Sequence, residues 1–151
     1  MQTKTVPAYK FISKSVTTTL DSITSAGRPI ADELGKIITE GKITPTGPMQ
    51  FNYYGLMDNN PDTEFTLEVG IPVGEDQESV AEFEVKELPE YLCVYTNHNG
   101  DYASLGQTYE AMMEDIASEG KNISGINREV YTKMDSENAA NNVTEVQLGL
   151  V

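Results

Sequence analysis

Two stretches of this chain repeat one another in landmarks as well as in order, and that duplication narrows the folds open to it. Val6-Pro7-Ala8-Tyr9 opens one half and Leu88-Pro89-Glu90-Tyr91 opens the other. Gly27 precedes Glu40-Gly41-Lys42 by the interval at which Gly106 precedes Glu119-Gly120-Lys121. A short loop then runs to a further glycine, Gly47 or Gly125, and into a strand. Each half closes on another strand, Glu68-Val69-Gly70-Ile71 answering Glu145-Val146-Gln147-Leu148. One β-α-β-β unit cannot cover its own apolar sheet face, whereas two can pair into a larger antiparallel sheet with both helices on one side. The expected fold is α+β: a duplicated β-α-β-β unit with pseudo-twofold symmetry, two helices on one face of an antiparallel sheet, and a central cleft. A single domain over 1–151 is expected, with repeat halves at about 5–73 and 86–151.

The helices show in the apolar periodicity. Leu105, Tyr109, Met112, Met113 and Ile116 line one face of a segment stopped near Gly120, with Glu110, Glu114, Asp115 and Glu119 on the other side. Ile30, Leu34, Ile37 and Ile38 do the same before Gly41, and Gly27 and Pro29 mark either the first turn or a break in a helix begun near Ser22. Gly55 to Thr63 reads as a turn between strands, and Gly74 to Glu82 as an acidic loop joining the halves.

The repeat also pairs residues. Four and six positions past Gly47 stand Phe51 and Tyr53; four and six past Gly125 stand Glu129 and Tyr131. Strand side chains alternate, so Glu129 and Tyr131 share a face while Val130 takes the other. Three aromatics and one carboxylate thus occupy equivalent places at the junction of the halves, where pockets form. A carboxylate there beside aromatic rings suits a flat, apolar cation, with Glu129 as counter-charge and Phe51, Tyr53 and Tyr131 offering ring faces. Tyr95, Tyr102 and Met112 are further candidates for the lining.

Charge excludes one class of partner. With 24 acidic and 10 basic residues and a net charge of -14, the chain would meet nucleic acid with repulsion. Lys4, Lys10 and Lys14 precede no apolar leader core, and no apolar run is long enough to cross a membrane, so a soluble, cytoplasmic protein is expected. Cys93, the single cysteine, admits no internal disulfide or thiolate metal site and reads as a buried small hydrophobe. No cofactor is expected. His98, the single histidine, reads as a surface residue at a loop edge; a haem-ligand role is the lesser reading.

Gly47-Pro48, Tyr53-Tyr54, Asp58, Pro61-Asp62 and the run Glu68 to Val73 resemble the GyrI-like small-molecule-binding family. So do Asn99-Gly100-Asp101-Tyr102, Glu129-Val130-Tyr131 and Thr144-Glu145-Val146, the whole covering about Tyr9 to Val151. Gly149 departs from the pattern, standing where the family usually has a proline matching Pro72. The resemblance implies an effector-binding domain of the kind found in AraC-type and MerR-type multidrug regulators, in stand-alone form because no helix-turn-helix segment is seen. It implies Glu129 as the pocket acid and lipophilic, aromatic, often cationic ligands. Two alternatives come with it. One is a hydrolase of strained cyclopropane-type electrophiles, with Glu129 as general base and Tyr131 as its aromatic partner; the other is a protein-binding module of gyrase-inhibitor type.

Overall fold

The computed structural model describes residues 1–151. Eight strands form one antiparallel sheet: β1 Gln2–Val6, β2 Tyr9–Thr18, β3 Gln50–Tyr54, β4 Phe65–Pro72, β5 Glu84–Leu88, β6 Tyr91–Asn99, β7 Ile123–Lys133 and β8 Val143–Leu150. Helices α1, Ile23–Thr39, and α2, Leu105–Ser118, follow β2 and β6. The strand order is β1-β6-β8-β7-β3-β4-β2-β5. Exchanging each strand of one half for its counterpart reverses that order onto itself, so the pseudo-twofold axis passes between the central strands β3 and β7. The opening strands trade partners: β1 pairs with β6 of the second half, and β5 with β2 of the first. Neither half is a closed sheet without the other.

Apolar periodicity places the helices where the sequence put them. Ile30, Leu34 and Ile37 of α1 pack with Ile12, Leu67, Val69 and Ile71 of the sheet, and Met112 and Ile116 of α2 pack with Val94, Val146 and Leu148. The helix begun before Pro29 is the one formed: α1 starts at Ile23 and carries Pro29 inside it. Gly27 has a packing role, because a Cβ there would lie 2.7 Å from the ring of Phe51. The bare backbone lets α1 come down onto the centre of the sheet.

The opposite face carries no helix, yet Phe11, Glu68 and Arg128 are almost inaccessible there. Aromatic rings from the strands themselves cover it. Phe11 lies across Gly70 and Tyr91 across Gly149, each glycine leaving the room its Cβ would take. Gly149 therefore has a steric reason to be glycine. Glu68, fully buried, accepts hydrogen bonds from Ser13, Asn52 and Tyr54 and pairs with Lys86. Burial alone would raise its carboxyl, but the Lys86 ammonium and the neutral donors bring it below the usual carboxylate range. Cys93 is buried on this face, and burial pushes its thiol up to about 11.

Candidate functional site

Register builds the site. Phe51 of β3 lies opposite Glu129 of β7, and Tyr53 opposite Asn127, so Phe51, Tyr53, Glu129 and Tyr131 all stand on the helix-bearing face. The short 3-10 turn Tyr102–Ser104 and the first turns of α2 then lay Tyr102 and Tyr109 over them.

Glu129 is 6% exposed. Tyr109 donates its hydroxyl to one carboxylate oxygen at 2.6 Å, and Tyr131 to the other at 2.8 Å. Burial dominates and raises the carboxyl above its ordinary value, with the hydroxyls of Tyr109, Tyr131 and Tyr53, and then the positive charge available to His98, pulling the other way. The same burial, reinforced by the Glu129 charge, pushes the phenols of Tyr53, Tyr109 and Tyr131 well above theirs, so they remain donors. Rings close the cage edge to face: Tyr131 meets Phe51 at 5.3 Å and Tyr102 at 5.6 Å, and Tyr53 meets Phe65 at 5.7 Å. No Lys or Arg pairs with Glu129. A buried carboxylate held only by neutral hydroxyls among ring faces is chemically matched to a cation that has lost its water.

Five sequence candidates therefore meet: Phe51, Tyr53, Tyr102, Glu129 and Tyr131. Two do not. Tyr95 stands on the helix-free face, its ring under the Lys4 ammonium at 4.2 Å, because its register with Gln2 and Gln147 turns it away from the cage. Met112 is wholly buried in the α2 core among Val94, Ile116, Val146 and Leu148. His98 is also not a surface residue. It is 6% exposed and donates from Nε2 to the Asp101 carbonyl at 2.9 Å, while Nδ1 lies in hydrogen-bond contact with the Thr108 hydroxyl at 2.7 Å. Those bonds tie β6 to the start of α2, so both ring nitrogens are engaged within the protein.

Sequence reasoning missed Tyr109, which reads as one more apolar-face residue of α2. Its signal was chemical, since a tyrosine on a core-facing helical stripe needs a partner for its hydroxyl. The open depression lined by Ser13, Lys14, Ser15, Glu82, Glu84 and Lys86 is polar and includes no residue of the cage.

Comparison with known proteins agrees with this fold. No curated protein matches the chain. Of solved structures, EcmrR in a complex with DNA superposes with a TM-score of 0.79 at 18% identity; the match covers 99% of this chain and 56% of EcmrR. It covers 96% of the EcmrR C-terminal domain taken alone. SAV2435 bound to tetraphenylphosphonium superposes with a TM-score of 0.75 at 12% identity, covering 99% of this chain and 93% of that one. A hydrolase encoded by lin2189 from Listeria innocua gives 0.63 at 12% identity, covering 99% and 91%. Such low identities show a shared fold alone. The family assignment comes from the sequence match over residues 1–151: the chain belongs to the GyrI-like small molecule binding domain family.

Proposed function

We propose that this domain binds lipophilic aromatic cations inside the Glu129 cage. The observation that carries the reading is a carboxylate buried among tyrosines with no cation of its own. An incoming cation takes the place of the phenol hydrogen bonds as the carboxylate's partner, while Phe51, Tyr53, Tyr102 and Tyr131 supply ring faces. Each cation–π contact contributes about 0.5 to 2 kcal/mol depending on desolvation. Stacking is tolerant of ligand shape, which suits a receptor for several related molecules. Tetraphenylphosphonium in SAV2435 is a ligand of this chemical class. The test is fluorescence anisotropy of a cationic rhodamine dye: saturable binding, competed by tetraphenylphosphonium, is expected. A signal that rises linearly without saturating, or does not respond to the competitor, would end the proposal.

A hydrolase reading uses the same residues. It is favoured by the raised carboxyl of Glu129, since a base poised upward can take a proton from water, with the Tyr131 hydroxyl 2.8 Å away to orient an electrophile. Its signature is consumption of a strained electrophile, which a receptor alone leaves intact.

A further inference from the structure

β7 turns two consecutive charged side chains to opposite faces of the sheet. Glu129 enters the cage, 6% exposed; Arg128 enters the helix-free face, 2% exposed. Neither takes part in an ion pair, although the other acids near Arg128 do: Glu68 pairs with Lys86 and Glu145 with Lys4. The Arg128 guanidinium makes one long hydrogen bond, 3.4 Å to the Tyr9 hydroxyl, and its Nε has no partner. Tyr91 covers it at 4.0 Å and Tyr9 flanks it at 5.7 Å. A buried charge without a counter-charge is among the most costly features a fold can retain. Here two such charges of opposite sign occupy adjacent positions on a central strand, separated by the thickness of one sheet.

We propose that Arg128 is a positioning residue for the cage: its charge acts through the sheet to hold Glu129 ionised ahead of ligand binding. The inference rests on the reading of Glu129 as counter-charge to a ligand. An arriving cation then meets a ready carboxylate and need not first displace a proton.

The surroundings leave few competing charges. Facing Glu129 are Tyr53 from β3, Tyr131 from β7, Tyr109 from α2, Tyr102 from the 3-10 turn and His98 from β6. Facing Arg128 are Tyr9 from β2, Tyr54 from β3, and Tyr91 and Cys93 from β6. The phenols around Glu129, Tyr54 and Tyr91 are all pushed upward by burial and stay neutral at physiological pH. The Lys86–Glu68 and Lys4–Glu145 pairs each sum to zero.

The test is a titration of the ligand-free protein by carboxyl carbon NMR with labelled glutamate, the Glu129 signal identified by its loss in Glu129→Gln. Removing a unit charge roughly 10 Å away at an effective dielectric near 20 should raise the proton affinity of Glu129 about tenfold. That rise is expected in both Arg128→Met and Arg128→Gln, two neutral variants of different shape, and should largely vanish in Arg128→Lys. The acid limit of tetraphenylphosphonium binding should move up in parallel. Above that range, affinity in the neutral variants should equal or exceed that of the wild type, because Arg128 does not attract the cation. An unchanged Glu129 titration in the neutral variants overturns the proposal. A titration that moves in a protein that binds no cation keeps the through-sheet coupling and overturns the ligand reading on which its use depends.

Discussion

Glu129→Gln is expected to weaken tetraphenylphosphonium binding by about 10- to 100-fold, the value of one charge-assisted contact in a desolvated site. Glutamine keeps the shape and can still accept from Tyr109 or Tyr131, so the loss isolates the charge. The same variant should gain stability near neutral pH, and the sign follows from the titration. The carboxyl of Glu129 is raised in the folded protein, so its stabilising contribution is complete below the unfolded carboxyl value and is lost as pH rises through the folded one. The variant lacks that decline. Denaturation midpoints of wild type and variant should therefore lie closest at acidic pH and separate toward neutrality, with the variant above. A variant that loses affinity together with stability at every pH would point instead to a collapsed cage.

Gly70→Ala should cost about 3 kcal/mol or more in chemical denaturation, beyond the usual effect of an added methyl group. A Cβ at Gly70 would lie 2.3 Å from the Ile12 carbonyl oxygen and 2.7 Å from both the Phe11 ring and the Ser13 Cβ. The backbone of β2 cannot retreat without loosening its ladder with β4, and the Phe11 ring seals the helix-free face over the Glu68 network. A loss under about 1 kcal/mol would mean that β2 and β4 separate more easily than their pairing implies. Ligand affinity at temperatures where the variant stays folded should change little, since Gly70 is on the face away from the cage.

Much of the architecture was legible because periodicity and repetition are local signals. The two amphipathic stripes ending before Gly41 and Gly120 became α1 and α2, and the equivalent offsets from Gly47 and Gly125 placed Phe51, Tyr53, Glu129 and Tyr131 on one face. Four features were beyond such reading. Tyr95 was ambiguous because alternation tells which residues share a face but not which face meets the helices. Met112 and Tyr109 both lie on the inner side of α2, and only the docking of the helix decides that the first enters the apolar core while the second reaches Glu129. His98 resembled a loop residue because its partners, Thr108 and the Asp101 carbonyl, belong to the following turn and helix. The polar interior of the helix-free face was equally hidden, since strands that bury Glu68 and Arg128 read as ordinary alternating strands with a solvated side.

The central claim is that a buried anion selects ligands by charge. Its most direct test is calorimetric titration of the wild-type protein with tetraphenylphosphonium and, separately, with triphenylphosphine oxide, a neutral molecule carrying similar aromatic surface. The account predicts that the cation binds at least about tenfold more tightly, the gap widening as pH rises through the Glu129 titration. Equal affinities, independent of pH, would contradict it and leave an apolar pocket in which Glu129 has no part in recognition.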